Sequence, residues 1–213
     1  MKHLICFLSL LVLTLCINTA SAQGVLTNGW TYTGTIAPVG HADTWNFSAT
    51  NGDSIVLRMG RITSTNNFTP RLRLFTPNAV QQALASGSPD AEIAVSATNA
   101  GTFAVIADDV TGTTATGTYL LTLGKTGSPI VAAPGMMGGS MTNGFTYQGN
   151  LLPGQLSVWS FTANSGDSIV VGMGDANRNA GGLDPYVRIY GADGAAGFGI
   201  WRLWHRSHRA GDE

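Results

Sequence analysis

The chain states nearly the same sequence twice. TNGWTYTG (Thr27 to Gly34) returns 115 residues later as TNGFTYQG (Thr142 to Gly149). WNFSATNGDSIVLRMG (Trp45 to Gly60) returns as WSFTANSGDSIVVGMG (Trp159 to Gly174), and TPRLRLF (Thr69 to Phe75) as DPYVRIY (Asp184 to Tyr190). A period of that size is a duplicated domain and not a solenoid repeat, because one small sandwich needs about 100 residues. The second copy follows the first only to Gly194. One complete module and the first half of another are therefore expected.

Alternation at period two runs through both copies and predicts strands. Trp30 and Tyr32 share a face, as do Phe145 and Tyr147; Trp45 and Phe47 do likewise, matched by Trp159 and Phe161. After the turn Asn51-Gly52-Asp53, Ile55, Leu57 and Met59 point one way and Ser54, Val56 and Arg58 the other. Leu72 and Leu74 face in while Arg71 and Arg73 face out, and further strands follow at Ile93 and Val95, Phe103 to Ala107, and Tyr119 to Leu123. Seven or eight short strands between turns predict an all-β, antiparallel β-sandwich of jelly-roll type over residues 24–123. The aperiodic, Gly- and Pro-rich stretch 124–140 reads as a flexible linker, and 141–196 as the incomplete second sandwich.

Ahead of the repeats, Lys2 and His3 precede the apolar run Leu4 to Cys16 and the small-residue site Ala20-Ser21-Ala22. That run is shorter than the roughly 20 residues a bilayer span needs, so residues 1–22 read as a cleaved signal peptide and the protein as secreted, extracellular, periplasmic or at the cell surface. Both cysteines, Cys6 and Cys16, fall inside it, which leaves no disulfide for the mature chain. With 11 Lys plus Arg against 12 Asp plus Glu, and Lys125 the one lysine after the signal, the charge carries no footprint for nucleic acid. No later stretch predicts a membrane span.

The ordered pieces resemble the bacterial pre-peptidase C-terminal domain family. The resemblance rests on the aromatic-x-Phe strands (Trp45 to Phe47, Trp159 to Phe161), the Ala-x-x-Gly-Asp turns after them (Ala49 to Asp53, Ala163 to Asp167) and the strands ending in an aromatic residue (Leu72 to Phe75, Asp184 to Tyr190). Two Gly-Thr-aromatic starts, Gly101-Thr102-Phe103 and Gly117-Thr118-Tyr119, complete it in the first copy. Thr76 and Gly191 stand where the family usually has an aspartate, and the second copy has no Gly-Thr-aromatic strands. The resemblance implies a secreted β-sandwich that accompanies exported enzymes without performing chemistry itself.

From Gly197 the composition changes, with two Trp, two His and three Arg in residues 197–213. A shifted or interrupted reading frame is the favoured reading of this tail, against a genuine basic-aromatic binding segment. A half-sandwich would expose the apolar face of Trp159, Phe161, Ile169, Val171, Val187 and Ile189, and would be prone to self-associate.

Nucleophilic catalysis needs a base within hydrogen-bond reach, and outside the signal and the tail the chain offers only His41, in a turn and replaced by Gln155 in the copy. His41 reads as a solvated turn residue. His205 and His208 lack a third ligand, and flanking arginines repel a cation. Calcium is the metal the sequence can accommodate, with Asp108 and Asp109 as its candidate ligands; Asp53 and Asp167 read instead as turn acids. Trp30, Tyr32, Trp45 and Phe47 read as core, which leaves Arg73, Tyr186 and Arg188 as surface binding candidates. Three functions follow as expectations. They are a non-catalytic module that binds an extracellular polysaccharide or protein, or assists an exported enzyme; the first part of a larger exported enzyme such as a peptidase; and a surface spacer.

Overall fold

Strand alternation becomes two packed sheets. A computed structural model describes residues 22–176 and 183–193; the expected signal peptide, apart from Ala22, and the tail lie outside these residues. The first module contains β1 (Ala22–Val25), β2 (Thr31–Ile36), β3 (Asp43–Ala49), β4 (Ser54–Arg61), β5 (Pro70–Phe75), β6 (Gln81–Ser86), β7 (Asp90–Ser96), β8 (Gly101–Asp109) and β9 (Gly117–Lys125). One sheet has the order β1-β3-β8-β5-β6 and the other β2-β9-β4-β7. Leaving β1 aside, this is the strand order of an eight-strand jelly roll, with every pair antiparallel. The added strand β1 runs parallel to β3. Among the described residues there is no helix.

Two strands were not visible in the sequence. β1 is four residues long, and β6 (QQALAS) has alanines where β-branched or aromatic residues would announce a strand. Both are edge strands, which need only one partner.

The inward faces behave as the alternation requires. Trp45, Phe47, Phe103, Val105, Leu72 and Leu74 from one sheet meet Ile55, Leu57, Met59, Tyr119, Leu121 and Leu123 from the other in a single core. Side chains of this size each contribute about 1.5–3 kcal/mol on burial, which explains how the module closes without a disulfide.

Leu120 and Thr122 point away from that core, yet both are buried. Chain following the module covers them. A Cβ on Gly124 would lie 3.1 Å from the Val158 side chain, and one on Gly60 would lie 2.4 Å from Gly154, so Val158 and the 153–154 turn sit directly on the outer face of the four-stranded sheet. The stretch expected as a flexible linker is likewise docked. Its first two residues extend β9, the Asn28 amide donates to the carbonyls of Lys125, Ser128 and Pro129 at 2.9, 3.0 and 3.3 Å, and the Val131 amide donates to the Asn28 carbonyl at 2.8 Å.

The second repeat departs from expectation. Among the described residues, of its anticipated strands only β11 (Trp159–Ser160) forms, paired in parallel with β10 (Gly139–Ser140), together with a single bridge residue, Tyr190. The cause lies in the jelly-roll order. In the first module β2 pairs with β9 alone, β4 and β5 rely on β9 and β8 on one side, and β3 has β8 as its long partner. Among the described residues no copy of β8 or β9 stands beside the copies of β2 to β5. Phe145, Ile169, Val170 and Tyr186 are correspondingly exposed.

Candidate functional site

The outer face of the five-stranded sheet carries a charge cluster of two arginines and one aspartate. With Leu72 and Leu74 directed into the core, β5 must present Arg71 and Arg73 outward, and the register places Arg71 opposite Asp108 of β8. Arg71 Nε and Nη2 donate to the two Asp108 oxygens, each at 2.8 Å, and Arg73 Nη2 donates to Oδ2 at 2.6 Å. This is fork-on-carboxylate geometry with a diagonal second arginine. The bond to Asp108 raises the Arg71 pKa above its ordinary value despite the opposing effect of burial. Arg73 Nε is buried and has no hydrogen-bond partner.

Asp109 serves another purpose. It accepts from the amides of Thr69 (2.8 Å), Thr111 (3.0 Å) and Gly112 (3.0 Å) and from the Thr111 hydroxyl, closing the turn after β8. Burial pushes its carboxyl up, but the Thr111 hydroxyl and the three amides outweigh it and hold the pKa below the ordinary value. The two acids expected as calcium ligands are thus each occupied by protein donors. Asp108 is neutralised by two guanidiniums, the opposite of what a cation shell requires. Among the described residues no three His, Cys, Asp or Glu side chains gather closely enough to hold a metal.

Arg188 and Tyr186 lie on the other sheet. Arg188 Nη1 and Nη2 donate to the Glu92 oxygens at 2.6 and 2.8 Å, and its guanidinium stands 5.5 Å from the Tyr186 ring centre. Burial lowers the Arg188 pKa, but the bonds to Glu92 more than compensate and the net shift is upward. Arg58 joins the same group through Glu92 (3.0 Å) and Asp90 (2.9 Å). Arg73 and Arg188 are equivalent in the repeat and each pairs with a carboxylate, but the structure does not bring them together.

A third cluster is buried. Asp43, fully enclosed, accepts from Gln23 Nε2 at 2.7 Å and from Tyr119 at 2.5 Å, and pairs with His41 Nε2 at 2.9 Å; Trp45 Nε1 donates to the Tyr119 oxygen at 3.0 Å. Burial, and then the bond to Asp43, pushes the Tyr119 pKa far up, so the phenol remains a donor. His41 is therefore tied to a core carboxylate and is not simply a solvated turn residue. Asp43 could have been found from the sequence, since it stands two residues before Trp45 in the inward phase of the same strand. Turn acids are the other confirmed motif: the Thr50 amide donates to Asp53 at 3.0 Å, and the Asn164 amide to Asp167 at 2.7 Å.

Neither a protein-family model nor a curated protein matches the chain. Among solved structures it is similar to the pre-peptidase C-terminal domain of a collagenase from Bacillus anthracis, with 14% identity, a TM-score of 0.41, and coverage of 50% of this chain and 99% of that one. It is also similar to PliG, a periplasmic inhibitor of g-type lysozyme, from Aeromonas hydrophila (12% identity, TM-score 0.34, coverage of 48% and 99%) and from Salmonella Typhimurium (14% identity, TM-score 0.35, coverage of 50% and 100%). The family read from the repeat and the first of these structures are the same kind of domain.

Proposed function

We propose that the protein is a secreted, non-catalytic binding module that presents the outer face of its five-stranded sheet to an extracellular polysaccharide or protein. The asymmetry of the two sheets carries this reading. One outer face lies under residues 153–158, whereas the other holds the Arg71–Asp108–Arg73 cluster, with Leu84 (54% exposed) and Val25 (69% exposed) on its flanking strands. A guanidinium pair fixed by a shared carboxylate is preorganised to receive the hydroxyl, amide or carboxylate oxygens of a polymer, and little side-chain entropy remains to be lost on binding. His41 spends its Nε2 on buried Asp43.

The test is retention of residues 23–213 on immobilised polysaccharides and extracellular proteins. The Arg71→Ala/Arg73→Ala variant should lose retention tenfold or more, and Leu84→Glu should weaken it while leaving the thermal midpoint unchanged. Retention on none of these ligands would favour the spacer role. Retention that both variants leave intact would move the site off this face.

A further inference from the structure

The chain contains three Asn-Gly pairs, Asn28-Gly29, Asn51-Gly52 and Asn143-Gly144. An asparagine before glycine can cyclise: the glycine amide nitrogen attacks the side-chain carbonyl carbon, and the missing Cβ leaves that approach unhindered. The reaction requires a glycine amide free to give up its proton and a side chain free to swing over the backbone. The fold grants both at one pair and withholds both at the other two.

Asn28-Gly29 and Asn143-Gly144 occupy equivalent places in the repeat and form the same turn. The Trp30 amide donates to the Thr27 carbonyl at 3.0 Å, and the Phe145 amide to that of Thr142 at 3.2 Å. The Thr27 and Thr142 amides reach the Tyr32 and Tyr147 hydroxyls at 3.0 and 2.9 Å, and the two glycines have φ of 86° and 79°. The surroundings differ. Asn28 is buried, with its Nδ2 spent on three carbonyls, its Oδ1 accepting from the Lys125 amide at 2.8 Å, and the Gly29 amide donating to the Leu123 carbonyl at 2.8 Å. Asn51 is held in its own way: its Nδ2 donates to the carbonyls of Ala97 and Thr98 at 3.1 and 3.0 Å, and the Gly52 amide to that of Ala97 at 2.9 Å. Asn143 and Gly144 are exposed, and a Cβ on Gly144 would meet nothing within 4 Å. Among the described residues neither the Asn143 side chain nor the Gly144 amide has a hydrogen-bond partner.

We infer that Asn143 is a site of spontaneous deamidation, at which water converts the side-chain amide to a carboxylate without an enzyme. The Gly144 nitrogen loses its proton to solvent and bonds to Asn143 Cγ; the Cγ–Nδ2 bond breaks and ammonia leaves, which closes a succinimide ring. Water then opens the ring at either carbonyl, giving aspartate or isoaspartate, and no oxidant or reductant takes part. The product carries a new negative charge in the turn, and its isoaspartate form has one more backbone carbon between Thr142 and Phe145. At Asn28 and Asn51 the same chemistry must wait for local opening of the bonds that hold each pair, and only that small open population reacts.

The test is peptide mapping by mass spectrometry of residues 23–213 held in warm, mildly alkaline buffer, once folded and once in concentrated urea. In the folded chain aspartate and isoaspartate should accumulate at position 143 at least tenfold faster than at 28 or 51. In urea the three positions should react within about threefold of one another, because the sequence pair is the same and the fold no longer distinguishes them. Asn143→Gln should remove the acidic form of the folded protein that isoelectric focusing resolves, and this variant leaves the turn glycine in place. Equal rates at 28, 51 and 143 in the folded chain would overturn the proposal. So would a lead for position 143 that persists in urea, which would assign it to local sequence and not to the structure, or a product containing aspartate without isoaspartate, which would mean direct hydrolysis with no part for Gly144.

Discussion

Asp43 opens β3 and Asp109 closes β8, and both carboxylates are almost wholly enclosed. Each is tolerated because several donors converge on it, an arrangement in which removing a single partner costs about 1–3 kcal/mol. Asp109 shows how this translates into pH dependence. Its folded pKa, like that of Asp53 beside Thr50 and Lys125, lies below the ordinary value. The stability from both groups is therefore complete above the unfolded carboxyl pKa, about 4, and is lost as the pH falls through the lower folded values. Urea midpoints measured from pH 7 downward should hold until about pH 4 and then drop. Asp109→Asn should be destabilised at pH 7 and show a shallower acid drop, and an unchanged slope would remove Asp109 from this role. None of this network was legible as a metal question, because a sequence displays acids without displaying the amides they face.

The pairing of β2 with β9 depends on a residue that has no side chain. Gly34 sits opposite Tyr119 in the register, and the tyrosine ring occupies the volume a Cβ would need. Gly34→Leu should therefore be destabilised by about 1–3 kcal/mol or more through overpacking, as read from a chemical unfolding midpoint; a wild-type midpoint would mean the ring moves freely. At this scale the alternation of apolar residues gave a true account of β2 to β5 and β7 to β9, since inward phase is a local property. It failed for β6, whose alanines carry little signal, and for the copied strands of the second repeat, which have the right pattern but no paired neighbour among the described residues. The Asn164–Asp167 turn and the Tyr147–Trp159 contact did form there, because both lie within about 20 residues of sequence. Periodicity predicts a face; it does not supply the neighbour.

Across the described residues, the first module is the core, and chain that follows it, Val158 and the 153–154 turn in particular, contributes a cover for one of its faces. A chain of residues 23–125 retains every strand pair of both sheets, but uncovers Leu120, Val56 and Thr122. It should still unfold cooperatively, with a lower thermal midpoint and more binding of an apolar dye than the chain of residues 23–213. A fragment without a cooperative transition would mean that the cover belongs to the fold. The duplication, one complete module and part of a second in the sequence, is in the structure one sandwich with the second repeat docked on its outer face.

The jelly-roll order also dictates when folding can begin. β8 and β9 lie between strands that precede them by many residues, so that Thr31 waits for Thr122 and Thr44 for Ile106. Neither sheet can zip progressively from the amino end: the five-stranded sheet waits for residue 109 and the four-stranded sheet for residue 125, and before that only the β1–β3, β4–β7 and β5–β6 pairs can form. Contacts this distant in sequence slow folding through the entropy of loop closure. This order of strands gives the fold a built-in delay between the synthesis of its first strands and their pairing.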